Sequence, residues 1–276
     1  TSELQAYGAD PDSLPVYRLI ERTMDEQQDL IDGVETLGGG GHEGTVDDWF
    51  NLLNLGFRYT ALGNSDTHGK TSIESGCPRN FVVSDTDSPG FLRAEDVAQA
   101  VREGRVVASY GPFIRFSIDG EQNGPGSTVV NDGEIELSIE VQSPSWFDVD
   151  RVEVYENGVL IYEFAIETPN TDVINFSETI AHQPAQDAWY VVMAMGQGDL
   201  APVFTPVDIP PIQLQDVVTD ALSGVPGVST LLEEAWPIPR AFPIHPYALT
   251  NPVWVDRDGD GFDAPGLPTW LQGPAD

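Results

Sequence analysis

From residue 134 to 141 the chain reads EIELSIEV, with Ile135, Leu137, Ile139 and Val141 alternating with Glu or Ser. Strict alternation of this kind predicts a strand with one buried face. RVEVYENGVLIYEF, starting at Arg151, predicts a hairpin at Asn157-Gly158, the pair that suits a type I′ turn. AWYVVMAMG (188–196) predicts a further buried strand. Several short strands separated by turn signals predict a small β-sandwich over 113–205.

The pattern before residue 112 differs. Leu14, Tyr17, Ile20, Met24 and Leu30 or Ile31 recur at helical spacing over 14–32, and Gly33 follows as a stop. VETL (34–37) predicts a short strand. Thr45 is the expected cap of a second helix, with Asp48 three residues on, and that helix packs Trp49, Leu52 and Leu53 before stopping at Gly56. RYTALGNS predicts a strand, as do Asn80 to Val83 and RVVASYG, with a helix from Ala94 to Glu103 between the last two. Alternating strands and helices predict an α/β layer or barrel over 1–112. From 206 to 276 the chain is proline-rich, with one helix candidate at 214–222. It also carries Trp236, Phe242, Tyr247 and Trp254. So many aromatics predict an extension packed over the other domains rather than a solvated tether.

Charge narrows the function classes. Forty-five acidic residues face eleven arginines and a single lysine, for a net charge of −33. A surface this negative repels phosphate backbones, which argues against nucleic-acid binding. Two readings of the acidity stand side by side: solvation in a salty medium, and cation binding at particular loops. No stretch approaches the roughly 18 consecutive apolar residues of a membrane span. The lone cysteine, Cys77, excludes an internal disulfide.

The strand RYTALGNS runs into GNSDTHG (63–69), which holds one of only four histidines. Residues i and i+2 of a strand point to one face, so Asp66 and His68 can converge on one point. A carboxylate with an imidazole suits Zn, Mn or Fe; the alternative is an Asx-turn beside a histidine. His42, with Glu43 or Glu35, is a further candidate for the same mouth, against a solvated histidine in a Gly-rich loop. Lys70 and Arg79 are rare cations nearby, suited to an anionic substrate group or to ion pairs with the many carboxylates. HGKT (68–71) lacks the glycine that a phosphate loop needs at position 64, and no G-x-S-x-G elbow is present.

Taken in order, ALGNSDTHG, GCPRNFV, AEDVAQAVREGRVVASYGPF and TNPVWVDRDGDGF resemble the carbaryl-hydrolase-like branch of the PHP family, named for polymerase and histidinol phosphatase. The resemblance implies the C-terminal part of a distorted (β/α)7 barrel with a metal centre at its C-terminal face. It implies metal-assisted hydrolysis of a small-molecule ester, carbamate or phosphoester, with Asp66 and His68 as ligands of Zn, Mn or Fe. The family's earlier ligand motifs, H-x-H and His-Pro, do not occur ahead of Asp66, where His42 is the only histidine, and a catalytic zinc takes about three protein ligands. The expectation is therefore that the chain is a portion of a longer protein, which supplies the missing ligands upstream of Thr1.

DRDGDGFD (256–263) is a second candidate. Asp256, Asp258 and Asp260 with Gly261 match positions 1, 3, 5 and 6 of a calcium loop, and Asp263 offers another oxygen. The position-12 glutamate is replaced by Leu267. A weak calcium site suits an extracytoplasmic or secreted setting. The rival to the hydrolase is a non-catalytic secreted binding or structural module, with the barrel remnant as scaffold.

Overall fold

The computed structural model describes residues 33–37, 43–65, 76–202, 207–208, 241–242 and 244–266. In chain order the elements are β1 (Gly33–Leu37), α1 (Glu43–Asn54), β2 (Thr60–Gly63), β3 (Arg79–Val82), α2 (Ala94–Arg102), β4 (Val106–Ser109), β5 (Phe113–Ile118), β6 (Thr128–Val130), β7 (Ile135–Gln142), β8 (Arg151–Glu156), β9 (Val159–Ala165), β10 (Ile174–His182), β11 (Ala188–Met195), β12 (Val207–Asp208), β13 (Ala241–Phe242), β14 (Tyr247–Thr250) and β15 (Val253–Asp256). The described residues are mostly β-sheet, with two helices.

The core is organised around β11. Its even positions, Ala188, Tyr190, Val192 and Ala194, pack with Ile114, Phe116 and Ile118 of β5 and with Ile135, Leu137, Ile139 and Val141 of β7. Its odd positions, Trp189, Val191 and Met193, face Trp49, Phe50 and Leu53 of α1. A strand covered on both faces has no need to alternate, which is why AWYVVMAM reads as one apolar run. Two sheets result. The larger runs β3-β4-β14-β11-β15-β6, with β8 also on β11 and β9 on β8; the smaller is β10-β7-β5. They face each other as a sandwich, and α1 covers the far side of the larger. A polar tie crosses between the sheets, where His182 at the end of β10 meets Glu156 of β8 at 2.7 Å and Tyr162 of β9 at 3.1 Å.

The alternation in β7 and the hairpin at Asn157-Gly158 match their predictions. Both turn residues have positive φ, +52° and +79°, as a type I′ turn requires. Elsewhere the structure departs from expectation. α1 opens at Glu43, so Thr45 lies inside its first turn rather than capping it. β1 and β2 do form a parallel pair around α1, but β3 and β4 are antiparallel, and the strands close no barrel among the described residues. Strand pairing also crosses residue 112, because β4 is bonded to β14 in the larger sheet.

The extension expected over 206–276 is not a strap where it is described. β14 and β15 are both antiparallel to β11, with registers one residue out of step. They form in effect one strand, broken at Asn251-Pro252, where proline removes a ladder donor. Val192 N–H, opposite the break, donates instead to Thr250 Oγ1 at 3.0 Å. The helices expected at 14–32 and 214–222, and Trp236, lie outside the described residues. Among the described residues no helix is long and apolar enough to cross a membrane.

Candidate functional site

β2 is the strand that delivers the S-D-x-H step. One of its edges pairs in parallel with β1. Along the other edge two asparagine side chains meet the backbone. Asn251 Oδ1 accepts Ala61 N–H at 2.7 Å while its Nδ2 donates to Ala61 O at 3.0 Å. Asn80 repeats this on Gly63, with both bonds at 2.8 Å. Each amide sets oxygen against N–H and nitrogen against C=O. The reversed orientation would face like with like, which fixes how the amides lie. Asn80 Nδ2 also reaches Asn64 Oδ1 at 3.2 Å, so the grip extends one residue past the strand.

Asp66, His68, Lys70 and His42 lie outside the described residues, and of Glu35 and Glu43 only the backbone is described. Arg79 opens β3 and is exposed. Strand alternation sets it on the same face as Phe81, which packs towards the sandwich core, and opposite to Asn80. Its guanidinium therefore leaves β3 on the side away from β2. The other two histidines are committed elsewhere: His182 to the tie between the sheets, and His245 Nδ1 to Gly198 O at 2.8 Å.

The SYGP stretch is a turn between sheets. Ser109 Oγ accepts Gly111 N–H at 2.7 Å and donates to Pro112 O, carrying the chain from β4 into β5. Gly111 has φ of +143°, and a Cβ there would come within 2.8 Å of the Phe147 ring.

The aspartate loop leaves the end of β15. Asp256, nearly buried, accepts Gly259 N–H on Oδ1 and Gly261 N–H on Oδ2, at 2.7 and 3.1 Å. Both glycines have positive φ, +78° and +116°, so this tight wrap depends on them. Asp187, just before β11, accepts Arg257 N–H at 2.9 Å and Asp263 N–H at 2.8 Å. Carboxylate oxygens of Asp187, Asp256 and Asp258 all lie within 4.8 Å of one another. Two of the four expected aspartates thus converge, with a third that the sequence did not indicate. Asp263 instead contributes its backbone N–H to Asp187. Asp260 pairs with Asp258: their shared side-chain hydrogen bond, above all, holds Asp258 below the usual carboxylate range and pushes Asp260 above it.

Three hard carboxylate donors fit Ca²⁺ better than a transition metal. Arg257 hydrogen-bonds the carbonyls of Ala185 and Asp132, at 3.0 and 2.7 Å, rather than a carboxylate, though its charge also helps to hold Asp258 low. The loop is also tied to the approach to β2. Arg58 stacks at 4.4 Å over Trp254 and 5.6 Å from Phe262, and burial pulls its pKa below the ordinary value. Calcium at about 5 mM, roughly fivefold or more above a micromolar-to-millimolar Kd, is expected to raise Tm by at least about 2 °C. Asp258→Asn keeps the acceptor for Asp260 N–H but removes charge, so a calorimetric scan of this variant should show most of the rise lost. A full rise would mean that the loop is only a turn.

Comparison with protein-family models, with curated proteins and with solved structures gives no match to this chain.

Proposed function

We propose that the chain belongs to a metal-dependent hydrolase of PHP type, acting on a small-molecule ester, carbamate or phosphoester, with Asp66 and His68 as metal ligands. The observation that carries this reading is the double hydrogen bond between Asn80 and Gly63. It joins the PRN stretch to the G-N-S-D-x-H stretch, two of the segments on which the family resemblance rests. Shared residues that converge on one strand end are better explained by a site there than by scattered packing needs. The βαβ unit of β1, α1 and β2 supports the same reading, since catalytic groups of βα units collect at C-terminal strand ends. In this reading β1, α1 and β2 are the C-terminal part of a (β/α)7 barrel, and Asp66 and His68 are two of its metal ligands.

A bound Zn, Mn or Fe ion supplies Lewis acidity and a water of lowered pKa. Asp66 would contribute charge and His68 a neutral nitrogen to that ion, both from the stretch of sequence that follows β2. The test is turnover of activated aryl esters and aryl phosphodiesters by the full-length gene product with Mn²⁺ or Zn²⁺. Asp66→Ala and His68→Ala are each expected to lower kcat/KM by about three orders of magnitude, roughly 4 kcal/mol. Turnover retained in both variants rejects the assignment.

A second reading is favoured by the meeting of Asp187 with Asp256 and Asp258. In it the chain is a calcium-stabilised extracytoplasmic module that binds a partner without catalysis. Calcium-dependent stability with no turnover in the full-length product would select it.

A further inference from the structure

The strongest unexplained chemistry among the described residues is a buried side-chain amide far from any turn or cap. Asn251 is fully buried, and its Nδ2 donates to Val106 O at 3.0 Å as well as to Ala61 O. It sits at the break between β14 and β15, where Pro252 interrupts the ladder. One strand-forming residue is thus given up in the middle of the larger sheet, and its side chain is turned to β2, 190 residues earlier.

We infer that Asn251, together with Asn80, is a positioning residue: the two amides stand in for a missing strand along the second edge of β2. A strand neighbour offers each alternate residue one acceptor and one donor. Ala61 and Gly63, two residues apart on the same edge, receive that pair from Asn251 and Asn80. A real strand would fix β2 in register but cover the edge along its whole length. Two single amides fix the same register from two separate elements. They also anchor β2 to two separate places, the break between β14 and β15 and the outer strand β3, so the direction of its C-terminal end is set by both. The functional weight of this inference rests on the proposed role of the Asp66–His68 step that follows β2. The geometry of the clamp does not.

The test uses the full chain, with Co²⁺ alone as the metal probe. Amide exchange of Ala61 and Gly63 is followed by NMR in the wild type, Asn251→Ala and Asn80→Ala. Asn251→Ala is expected to speed exchange at Ala61 by about tenfold with a smaller change at Gly63, and Asn80→Ala the reverse, as loss of the acceptor of that one N–H predicts. Unchanged exchange at the clamped residue, or equal acceleration at both, overturns the inference.

Asn251→Asp gives a signature that mere packing would not. A neutral carboxyl can both donate to Ala61 O and accept Ala61 N–H, whereas a carboxylate faces the carbonyls of Ala61 and Val106. Its folded pKa is therefore raised above the unfolded value of about 3.9, so protection is present below that pH and is lost as pH rises above it. A flat profile overturns the inference. Co²⁺ separates the clamp from the function. If wild type binds Co²⁺ through His68, both alanine variants should weaken it about tenfold; equal binding overturns positioning while the proposed metal role stands. If wild type binds no Co²⁺, the metal role fails and the exchange data alone judge the clamp.

Discussion

Trp189→Ala is expected to cost the fold about 4 kcal/mol, measured by urea unfolding. The indole is fully buried near the start of β11 and packs against Phe50 of α1 with ring centroids 5.0 Å apart. Its removal empties the contact that joins the helix to the larger sheet. The loss is also polar. Trp189 Nε1 donates to Asn54 Oδ1 at 2.9 Å, while Asn54 Nδ2 donates to Asn157 O at 3.1 Å. Asn54 is itself nearly buried, so truncation leaves its oxygen without that donor, an added cost of about 1–3 kcal/mol. Trp189→Phe separates the two parts, because it keeps much of the volume and loses only the N–H. Its expected cost is about 1–2 kcal/mol. A Trp189→Ala cost below about 1 kcal/mol would mean that α1 is not docked on the sheet as described.

Gly126→Ala is expected to be comparably damaging, by about 3 kcal/mol or more, through a different cause. Gly126 has φ of +87°, and a Cβ there would fall inside the van der Waals envelope of the Glu103 carbonyl. On the other side its N–H donates to Pro252 O at 2.7 Å. The residue is held between the end of α2 and the break that presents Asn251, with backbone on both sides. No flexible side chain can yield. Gly124→Ala is the control: its Cβ would meet Phe116 O at 3.5 Å, an ordinary contact, and the expected change is within about 0.5 kcal/mol. Thermal melts of the two variants give the comparison, and equal Tm values would refute it.

How much of this was readable in the sequence depends on how local each cause is. The alternation of β7, the turn at Asn157-Gly158 and the apolar run of β11 are set within ten residues, and the structure follows them. β14 and β15 were misread because each has only four residues and a proline sits between them. Nothing local distinguishes YALT and VWVD in a proline-rich tail from an extended strap; β11 makes them strands. The antiparallel pairing of β3 with β4 was hidden for a related reason, since a helix between two strands usually signals a parallel crossover.

The candidate site divides in the same way. The D-x-D-x-D-G loop was visible as a motif, yet Asp187 joins it only because Ala188 pairs with Val255, which brings residue 187 opposite Asp256. Asn80 and Asn251 were visible only as letters in PRN and TNP. A hydrogen-bonding amide in a strand carries no periodic signal, and its partner at Ala61 or Gly63 is fixed by tertiary packing.

Metal binding at the Asp66–His68 step is the most direct measurement of the central claim. The purified chain, freed of metal, is titrated with Co²⁺ and followed by visible absorption and by the His68 imidazole resonances. The predicted result is saturable binding of no more than about one equivalent, as two protein ligands allow, abolished in both Asp66→Ala and His68→Ala. Absence of any Co²⁺ response from His68 in the wild type, or binding that survives His68→Ala, would contradict it.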